Sequence, residues 1–254
     1  MLAQYGFVLA GGYALQAHQL VDRMSEDIGM FTNRWDPTEF DRAVDAVSGA
    51  YRRVGLDVST TRRAETFARL QVTDSRLRRT ATVDLAADFR RLDPVNLSVG
   101  PVLAERDAVA SKVGAAFSRG EARDYIDLAG ILDSGRFTRQ ELMHLGAEAD
   151  QGFSTAWFGE ALAAVDRFPD DDFAGYGVDA ATIIHVRETM KAWSRELEQG
   201  VERAHVTPEA EPRSTLDDAK RRRPRGPVRQ SPFPPLGTEF GHESPGREGP
   251  GIDL

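Results

Sequence analysis

Two stretches near the amino terminus decide the fold: Leu9–Leu15, with the sequence LAGGYAL, and Arg23–Phe31, with the sequence RMSEDIGMF. In the first stretch a diglycine separates an apolar segment from a helix predicted over Tyr13–Leu20. Glycine lets the backbone approach a ligand closely, and the free N–H groups at a helix N-terminus attract phosphate. The diglycine is therefore either a phosphate-binding turn or an ordinary turn before a helix.

The second stretch has the alternation of a strand. Successive side chains of a strand point to opposite faces. Ser25–Phe31 therefore divides into two sets, one of Asp27, Gly29 and Phe31 and the other of Glu26, Ile28 and Met30. The sequence predicts a strand with one carboxylate, Asp27, on the first of these faces.

A second candidate strand also carries a carboxylate. Thr82–Ala86, TVDLA, places Asp84 within an otherwise apolar segment. Burial of an unpaired carboxylate is costly, so Asp84 needs a partner, and a metal ion is one candidate. Mg²⁺ prefers carboxylate and phosphate oxygens together. A carboxylate on a strand close after a glycine turn and helix therefore suits a metal-dependent phosphoryl transferase.

The pattern around these stretches predicts an α/β (α+β) region followed by helices. The predicted order is helix, strand, helix and then strands, which favours a small mixed sheet. A helix is predicted over Pro37–Arg53, with Asp36 as its N-cap and Pro37 at its first position. Strands are predicted over Leu56–Ser59, Thr66–Thr73 and Thr80–Ala87. The later helices are predicted over Val102–Phe117, Glu121–Leu132, Arg139–Ala149, Ala156–Val165 and Ala180–Arg203.

These patterns predict three parts: an α/β domain over residues 1–100, a helical domain over 101–206 and a disordered tail over 207–254. The tail holds nine of the 13 prolines and has no hydrophobic period. It also contains the basic run KRRRPR at 220–225, which is either a contact for nucleic acid or another polyanion, or a solvated basic stretch.

The composition bounds the possible functions. The 254 residues include no cysteine, which excludes disulfides, thiolate zinc sites and a cysteine nucleophile, and predicts a cytoplasmic location. No apolar run reaches about 18 residues, so we expect no membrane span. The net charge of −8 argues against a protein that coats nucleic acid through bulk charge.

The motifs together carry a family resemblance over roughly residues 6–200. GGYAL at 11–15, RMSEDI at 23–28 and VDLA at 83–86 resemble the nucleotidyltransferase fold of the DNA polymerase β type. The closer resemblance is to the AbiEii/AbiGii toxin family. KVGAAFSR at 112–119 and RDYIDL at 123–128 are similar to that family's Lys-x-x-Ala…Arg…Arg-Asp-x-x-Asp-Leu signature.

The resemblance implies in-line transfer of a nucleotide from an NTP, with Mg²⁺, to an RNA (tRNA-like) or protein acceptor. It implies a toxin of a toxin–antitoxin or phage-defence (abortive infection) pair, with a cognate antitoxin as partner. The implied catalytic residues are Asp27, Asp84 and Lys112, of which Asp27 and Asp84 are the metal ligands. The implied nucleotide-binding residues are Gly11, Gly12, Arg23, Ser25, Lys112, Arg119, Arg123 and Asp124, and Asp127 belongs to the same helical wall of the cleft.

One position departs from the family pattern. The family has Asp-x-Asp on the first strand, whereas the second of these positions is Gly29 here. Glu26 cannot replace it, because the period of two points Glu26 to the opposite face. Loss of a ligand from a metal site can lower the rate by orders of magnitude.

Three functions therefore stay open. The first is an active nucleotidyltransferase toxin. The second is a catalytically impaired or inactive member of the family that binds nucleotide or a partner. The third is a polyanion-binding protein that works through the basic tail.

Overall fold

A computed structural model of the chain describes residues 2–206, with side chains described for residues 4–200. The described residues belong to one compact unit. The predicted disordered tail, 207–254, and its basic run lie outside the described residues, so that prediction stays a prediction.

Within the described part of the chain, seven strands form one mixed sheet in the order β3-β4-β5-β2-β1-β7-β6. The strands are β1 (Val8–Ala10), β2 (Asp27–Thr32), β3 (Asp57–Arg63), β4 (Phe67–Asp74), β5 (Arg79–Ala87), β6 (Val95–Leu97) and β7 (Gly100–Val102). Strand β2 runs parallel to β5, and β1 runs parallel to β7. The remaining pairs are antiparallel.

Two helices lie within the sheet-forming part of the sequence, α1 (Gly11–Ala17) and α2 (Pro37–Arg53). The others follow the sheet: α3 (Glu105–Ser118), α4 (Ala122–Asp133), α5 (Arg139–Ala149), α6 (Thr155–Ala163), α7 (Asp170–Ala174) and α8 (Ala180–Val206). The predicted small mixed sheet followed by helices is confirmed.

The start of α2 shows how local sequence fixes an element. The carboxylate of Asp36 accepts hydrogen bonds from the backbone N–H groups of Thr38 and Glu39, and Pro37 occupies the first turn. The helix ends at Arg53, as the pattern predicts. An N-cap carboxylate satisfies donors that have no partner within the helix, which explains why this helix could be predicted to the residue.

The two faces of β2 lie against different cores, as its alternation predicts. Ile28 and Met30 pack against the core cluster that α2 forms with β4 and β5. Phe31 packs against the other cluster, which joins β1 and α1 to the helices after the sheet. Asp27 and Gly29 share the face of Phe31, so they lie at the junction between the sheet and those helices.

The part of the sheet made by β3, β4 and β5 has one apolar and one polar face. Its apolar face is covered by buried residues of α2. Its other face is open, and the exposed side chains on it include Asp57, Ser59, Arg62, Arg69, Gln71 and Thr80. This polar face leads along β4 and β5 to Asp84.

Some elements differ from the predicted ones. The three-residue strands β1, β6 and β7 and the short α7 were not predicted. Val102, predicted as the first residue of a helix, is the last residue of β7, and α3 begins at Glu105. Such short strands form because distant segments pair with them, which local periodicity does not record. No helix of the described residues is both long and apolar enough to cross a membrane.

Candidate nucleotide-transfer site

Strands β2 and β5 bring the two predicted metal ligands onto neighbouring strands. In the parallel register Gly29 lies directly opposite Asp84, and Asp27 lies opposite Thr82. Because alternate residues share a face, Asp27, position 29 and Asp84 point to the same side of the sheet. The structure therefore gathers the carboxylates that the sequence marks for metal binding.

Asp84 has an arginine partner on its other side. Arg69 lies directly opposite it on β4. The Nε and Nη2 atoms of Arg69 donate to Oδ1 and Oδ2 of Asp84, both at 2.7 Å. The Asp84 side chain is 13% exposed, whereas that of Arg69 is 45% exposed. The hydrogen bond to Asp84 raises the pKa of Arg69 above its usual value, so the guanidinium stays charged.

Asp27 is held more loosely, by Arg123 of α4. Nη1 of Arg123 lies 3.4 Å from both carboxylate oxygens of Asp27. Nη2 of the same arginine lies 2.8 Å from Glu121. Nε of Arg123 is buried and has no hydrogen-bond partner within the described residues. The guanidinium therefore joins the sheet to the helices while keeping one donor unused.

The diglycine turn, which is the first turn of α1 and not a loop before it, lies next to this pair of strands. The helix predicted over Tyr13–Leu20 therefore begins at Gly11 and ends at Ala17. Gly11 has φ of +63°, a left-handed conformation that favours glycine. A Cβ at Gly12 would lie 2.8 Å from Oγ of Ser25 and 3.1 Å from Nη2 of Arg23. Both glycines are therefore required, one by backbone conformation and the other by close packing. Ser25 also binds the start of β2, because its Oγ donates to the carbonyl of Asp27 at 3.3 Å.

The helical wall of the site, defined as Arg23, Lys112, Arg119, Asp124 and Asp127, is an ion-pair network. Its members are buried except Arg119, whose side chain is 37% exposed. Arg23 donates to both oxygens of Asp127, at 2.7 and 2.8 Å. The Nζ of Lys112 lies 2.7 Å from Asp127 and 3.6 Å from Asp124. Arg119 donates to both oxygens of Asp124 at 2.9 Å. Charged groups can be buried at this depth only when each has such partners.

The pKa of Asp124 shows the strength of that pairing. Burial alone would raise the pKa of this carboxyl. The hydrogen bonds from Arg119 and the charge of Lys112 outweigh burial and hold the pKa below its usual value. The carboxylate of Asp124 is therefore charged at neutral pH although its side chain is fully buried.

The site as a whole is balanced in charge. It contains five cationic and five acidic side chains: Arg23, Arg69, Lys112, Arg119, Arg123, Asp27, Asp84, Glu121, Asp124 and Asp127. An Asp at position 29 would have given this set a negative charge. With Gly29 the carboxylates are neutralised by the protein's own cations.

Arg69 and Glu121 are the charged site residues that the motifs did not indicate. The apolar surroundings of Asp84 in the sequence predict a partner for it, and in the structure that partner is Arg69. Two signals could have found it. The alternation of Phe67–Thr73 puts Ala68 and Leu70 on the buried face of β4 and Arg69 on its other face. The hairpin pairing of β4 with β5 then aligns Arg69 with Asp84.

Few oxygen ligands for a divalent ion lie together in the site. Within residues 4–200, no group of three or more His, Asp or Glu side chains is arranged to hold a metal ion. Two carboxylates, Asp27 and Asp84, remain on one face. Mg²⁺ usually keeps several waters and is often bound through one or two carboxylates and substrate phosphates. The residues therefore fit one ion that is shared with a nucleotide, and they do not fit a protein-built pair of ions.

Comparison with known proteins identifies a family. The model of the family described as "Nucleotidyl transferase AbiEii toxin, Type IV TA system" matches residues 3–191. No curated protein matches the chain. Two similar solved structures are MenT4, a nucleotidyltransferase toxin of Mycobacterium tuberculosis H37Rv, and JHP933 of Helicobacter pylori.

The likeness to these two structures is distant. MenT4 is 21% identical, with a TM-score of 0.48, over 77% of this chain and 84% of that one. JHP933 is 16% identical, with a TM-score of 0.45, over 80% of this chain and 90% of that one. The family match spans most of the chain and carries the assignment.

That match defines the class of protein as nucleotidyltransferase-like. The chain belongs to the AbiEii nucleotidyltransferase toxin family, a family of type IV toxin–antitoxin systems. The family resemblance drawn from the motifs is thereby confirmed.

Proposed function

We propose that this protein transfers the nucleotidyl group of an NTP to an RNA acceptor, as the toxin of a toxin–antitoxin pair. One observation carries the proposal: Asp27 and Asp84 lie on one face of adjacent parallel strands. The diglycine turn is next to them, since a Cβ at Gly29 would lie 3.6 Å from the backbone nitrogen of Gly11.

Asp27 and Asp84 would hold Mg²⁺ together with the NTP phosphates. When bound, the ion supplies Lewis-acid polarisation of the phosphoryl oxygens and neutralises charge. The protein's own part is positioning and electrostatics. The backbone N–H of Gly11 would face the phosphates, because no atom outside the neighbouring residues lies within 4 Å of the position that a Cβ there would take. Gly12 would contribute its backbone N–H from beside Ser25 and Arg23, which fill the space next to its Cα.

Cationic side chains would meet the triphosphate from the helical side. Arg123 is the best placed, because it already lies beside Asp27 and has an unused buried N–H. Lys112 and Arg119 would add positive charge from behind it while staying paired with Asp127 and Asp124. In this proposal Arg23 and Ser25 support the turn that contacts phosphate.

The open polar face of β3, β4 and β5 supports an RNA acceptor. Arg62 and Arg69 are exposed there, and guanidinium groups bind phosphates through paired N–H donors. This face leads directly to Asp84. An RNA bound on it would present its terminal hydroxyl near the two carboxylates.

The biological setting follows from the family. A type IV toxin–antitoxin system implies a cognate antitoxin, and we propose that the toxin acts in the cytoplasm, where NTPs and RNA are found. Phage defence by abortive infection is the setting that we propose for its activation.

A second function is favoured by one observation, the neutralised carboxylates. Gly29 removes one acidic position, and Arg69 already pairs with Asp84. In a catalytically impaired member of the family, the same cleft would bind a nucleotide or a partner without turnover.

The experiment is labelling with α-³²P-NTPs, Mg²⁺, and total RNA or total protein. The variants are Asp27→Asn, Asp84→Asn and, as a matched control, Asp133→Asn, whose side chain is 53% exposed and pairs with His185. We expect the wild type and the control to label RNA, and the two site variants to be at least about 100-fold slower.

The other outcomes bear separately on the acceptor, the catalytic activity and the metal site. Labelling of protein instead of RNA would refute the RNA acceptor. No labelling by the wild type, with labelling by Gly29→Asp, would establish the impaired member. Equal rates for the wild type and Asp84→Asn would refute the metal-site assignment.

A further inference from the structure

The pair of Arg69 and Asp84 has a consequence for how the site takes up its ion. The contact is bidentate: Nε and Nη2 of Arg69 donate to the two carboxylate oxygens of Asp84, both at 2.7 Å. Two parallel N–H···O bonds hold the two side chains in one defined geometry. A divalent ion that uses Asp84 must therefore displace, or stand beside, a guanidinium cation.

The surroundings of Asp84 strengthen that competition. On β2 its direct neighbour is Gly29, which has no charge, and on β4 it is Arg69. The remaining carboxylate on this face, Asp27, lies within 3.4 Å of Arg123. The charge of Asp27 also acts on Arg69, so the guanidinium lies within the field of both carboxylates. Before nucleotide binds, the strands offer a divalent ion little net negative charge.

The surroundings of Arg69 leave room for its guanidinium to move away from Asp84. Its side chain is 45% exposed, on the open face of the sheet. Arg62 lies directly opposite it on β3, and both guanidinium groups approach the ring of Phe67, at 5.2 and 5.9 Å. Within the described residues, Arg62 has no salt-bridge partner. Two like charges on neighbouring strands repel each other, and a phosphate between them would remove that repulsion.

We infer that Arg69 is a positioning residue that occupies Asp84 until the triphosphate of an NTP draws its guanidinium away. The site then accepts a divalent ion together with the nucleotide and not before it. This inference rests on the proposed function, because it assigns an order of binding to the same site.

The test measures Mn²⁺ binding to the full chain by electron paramagnetic resonance, with and without a non-hydrolysable NTP analogue. Without nucleotide, we expect Arg69→Gln to bind Mn²⁺ at least about fivefold more tightly than the wild type, because the competing cation is gone. The wild type should gain at least about fivefold in Mn²⁺ affinity when the analogue is present, and Arg69→Gln should gain less. Asp84→Asn combined with Arg69→Gln should lose the tighter binding.

The matched control is Arg79→Gln, which makes the same change of charge at an exposed position near the start of β5. It should bind Mn²⁺ as the wild type does, whereas a general charge effect would change it equally. Equal Mn²⁺ affinity of Arg69→Gln and the wild type without nucleotide would overturn the inference. Failure of the proposed function is a separate result, since RNA labelling would be absent while the Mn²⁺ affinities still differ.

Discussion

The two sides of the site differ in how their charged side chains are paired and buried. On the helical wall each buried charge has a close, saturated partner, and the Arg23 and Asp127 side chains are 2% and 0% exposed. On the strand side, Asp84 pairs with Arg69, whose side chain is 45% exposed. Asp27 has a long contact, 3.4 Å, with Arg123. The helical wall is built before any ligand arrives, whereas the strand side keeps groups that a ligand can rearrange.

The difference has a physical cause. A buried charge that loses its partner costs several kcal/mol, so the wall tolerates little movement. A partly exposed ion pair contributes about 1 kcal/mol or less, because water screens it. We therefore expect changes in the wall to affect stability, and changes on the strands to affect ligand binding.

The largest effect is expected in the wall, for Asp127→Asn. This change removes the charge that pairs with both Arg23 and Lys112. We expect a loss of about 3–5 kcal/mol in the free energy of unfolding, measured by urea denaturation. The control Asp133→Asn, which alters an exposed hydrogen-bonded contact with His185, should lose less than about 1 kcal/mol. Equal losses in the two variants would show that the buried ion pairs of the wall contribute no more to stability than an exposed contact does.

A smaller effect on stability is expected at Asp88, the residue that follows β5. Burial, with a contribution from the charge of Asp107, raises the pKa of Asp88 to about 6. Within the described residues Asp88 has no salt-bridge partner, in contrast to Asp124. Because the folded pKa lies above the unfolded one, folding favours the protonated form. The stability cost therefore grows as the pH rises from about 4 to 6 and is constant above that.

Asp88→Asn should remove this cost and keep the hydrogen bond that the side chain accepts from the backbone N–H of Phe89. We expect the variant to be more stable than the wild type by about 2 kcal/mol at pH 7.5, and by much less at pH 4. Urea denaturation at the two pH values measures the difference. A gain that is the same at both values would contradict this account.

The smallest effect on stability is expected at Gly29. A Cβ there would lie 3.4 Å from the carbonyl of Ala10, an ordinary van der Waals separation. Gly29→Ala and Gly29→Asp should both fold, with stability changes within about 1 kcal/mol. Only Gly29→Asp should bind Mn²⁺ more tightly, by about tenfold, because it adds a carboxylate beside Asp84. A gain in Gly29→Ala as well would mean that charge at position 29 is not the cause.

Much of this fold could be predicted from local signals. The boundaries of α2 and α5 follow from capping residues, Asp36 in the first case and Thr138 with Glu141 in the second. The two faces of β2 follow from a period of two. These signals depend on neighbouring residues, so a sequence contains them completely.

The parts that could not be predicted depend on pairing between distant segments. Strands β1, β6 and β7 are three residues long, and only their partners make them strands. The motifs located Asp27 and Asp84, but the arginines that face them depend on the register of β4 with β5 and on the contact of α4 with β2. Local periodicity could not reveal that the carboxylates are already neutralised.

The most direct measurement is a crystal structure of the full chain with a non-hydrolysable NTP analogue and Mg²⁺. We expect the triphosphate beside Gly11 and Gly12, the ion at Asp27 and Asp84, and the guanidinium of Arg69 on phosphate and no longer on Asp84. A nucleotide bound elsewhere, with the Arg69–Asp84 contact unchanged from 2.7 Å, would contradict both the proposed site and the order of binding.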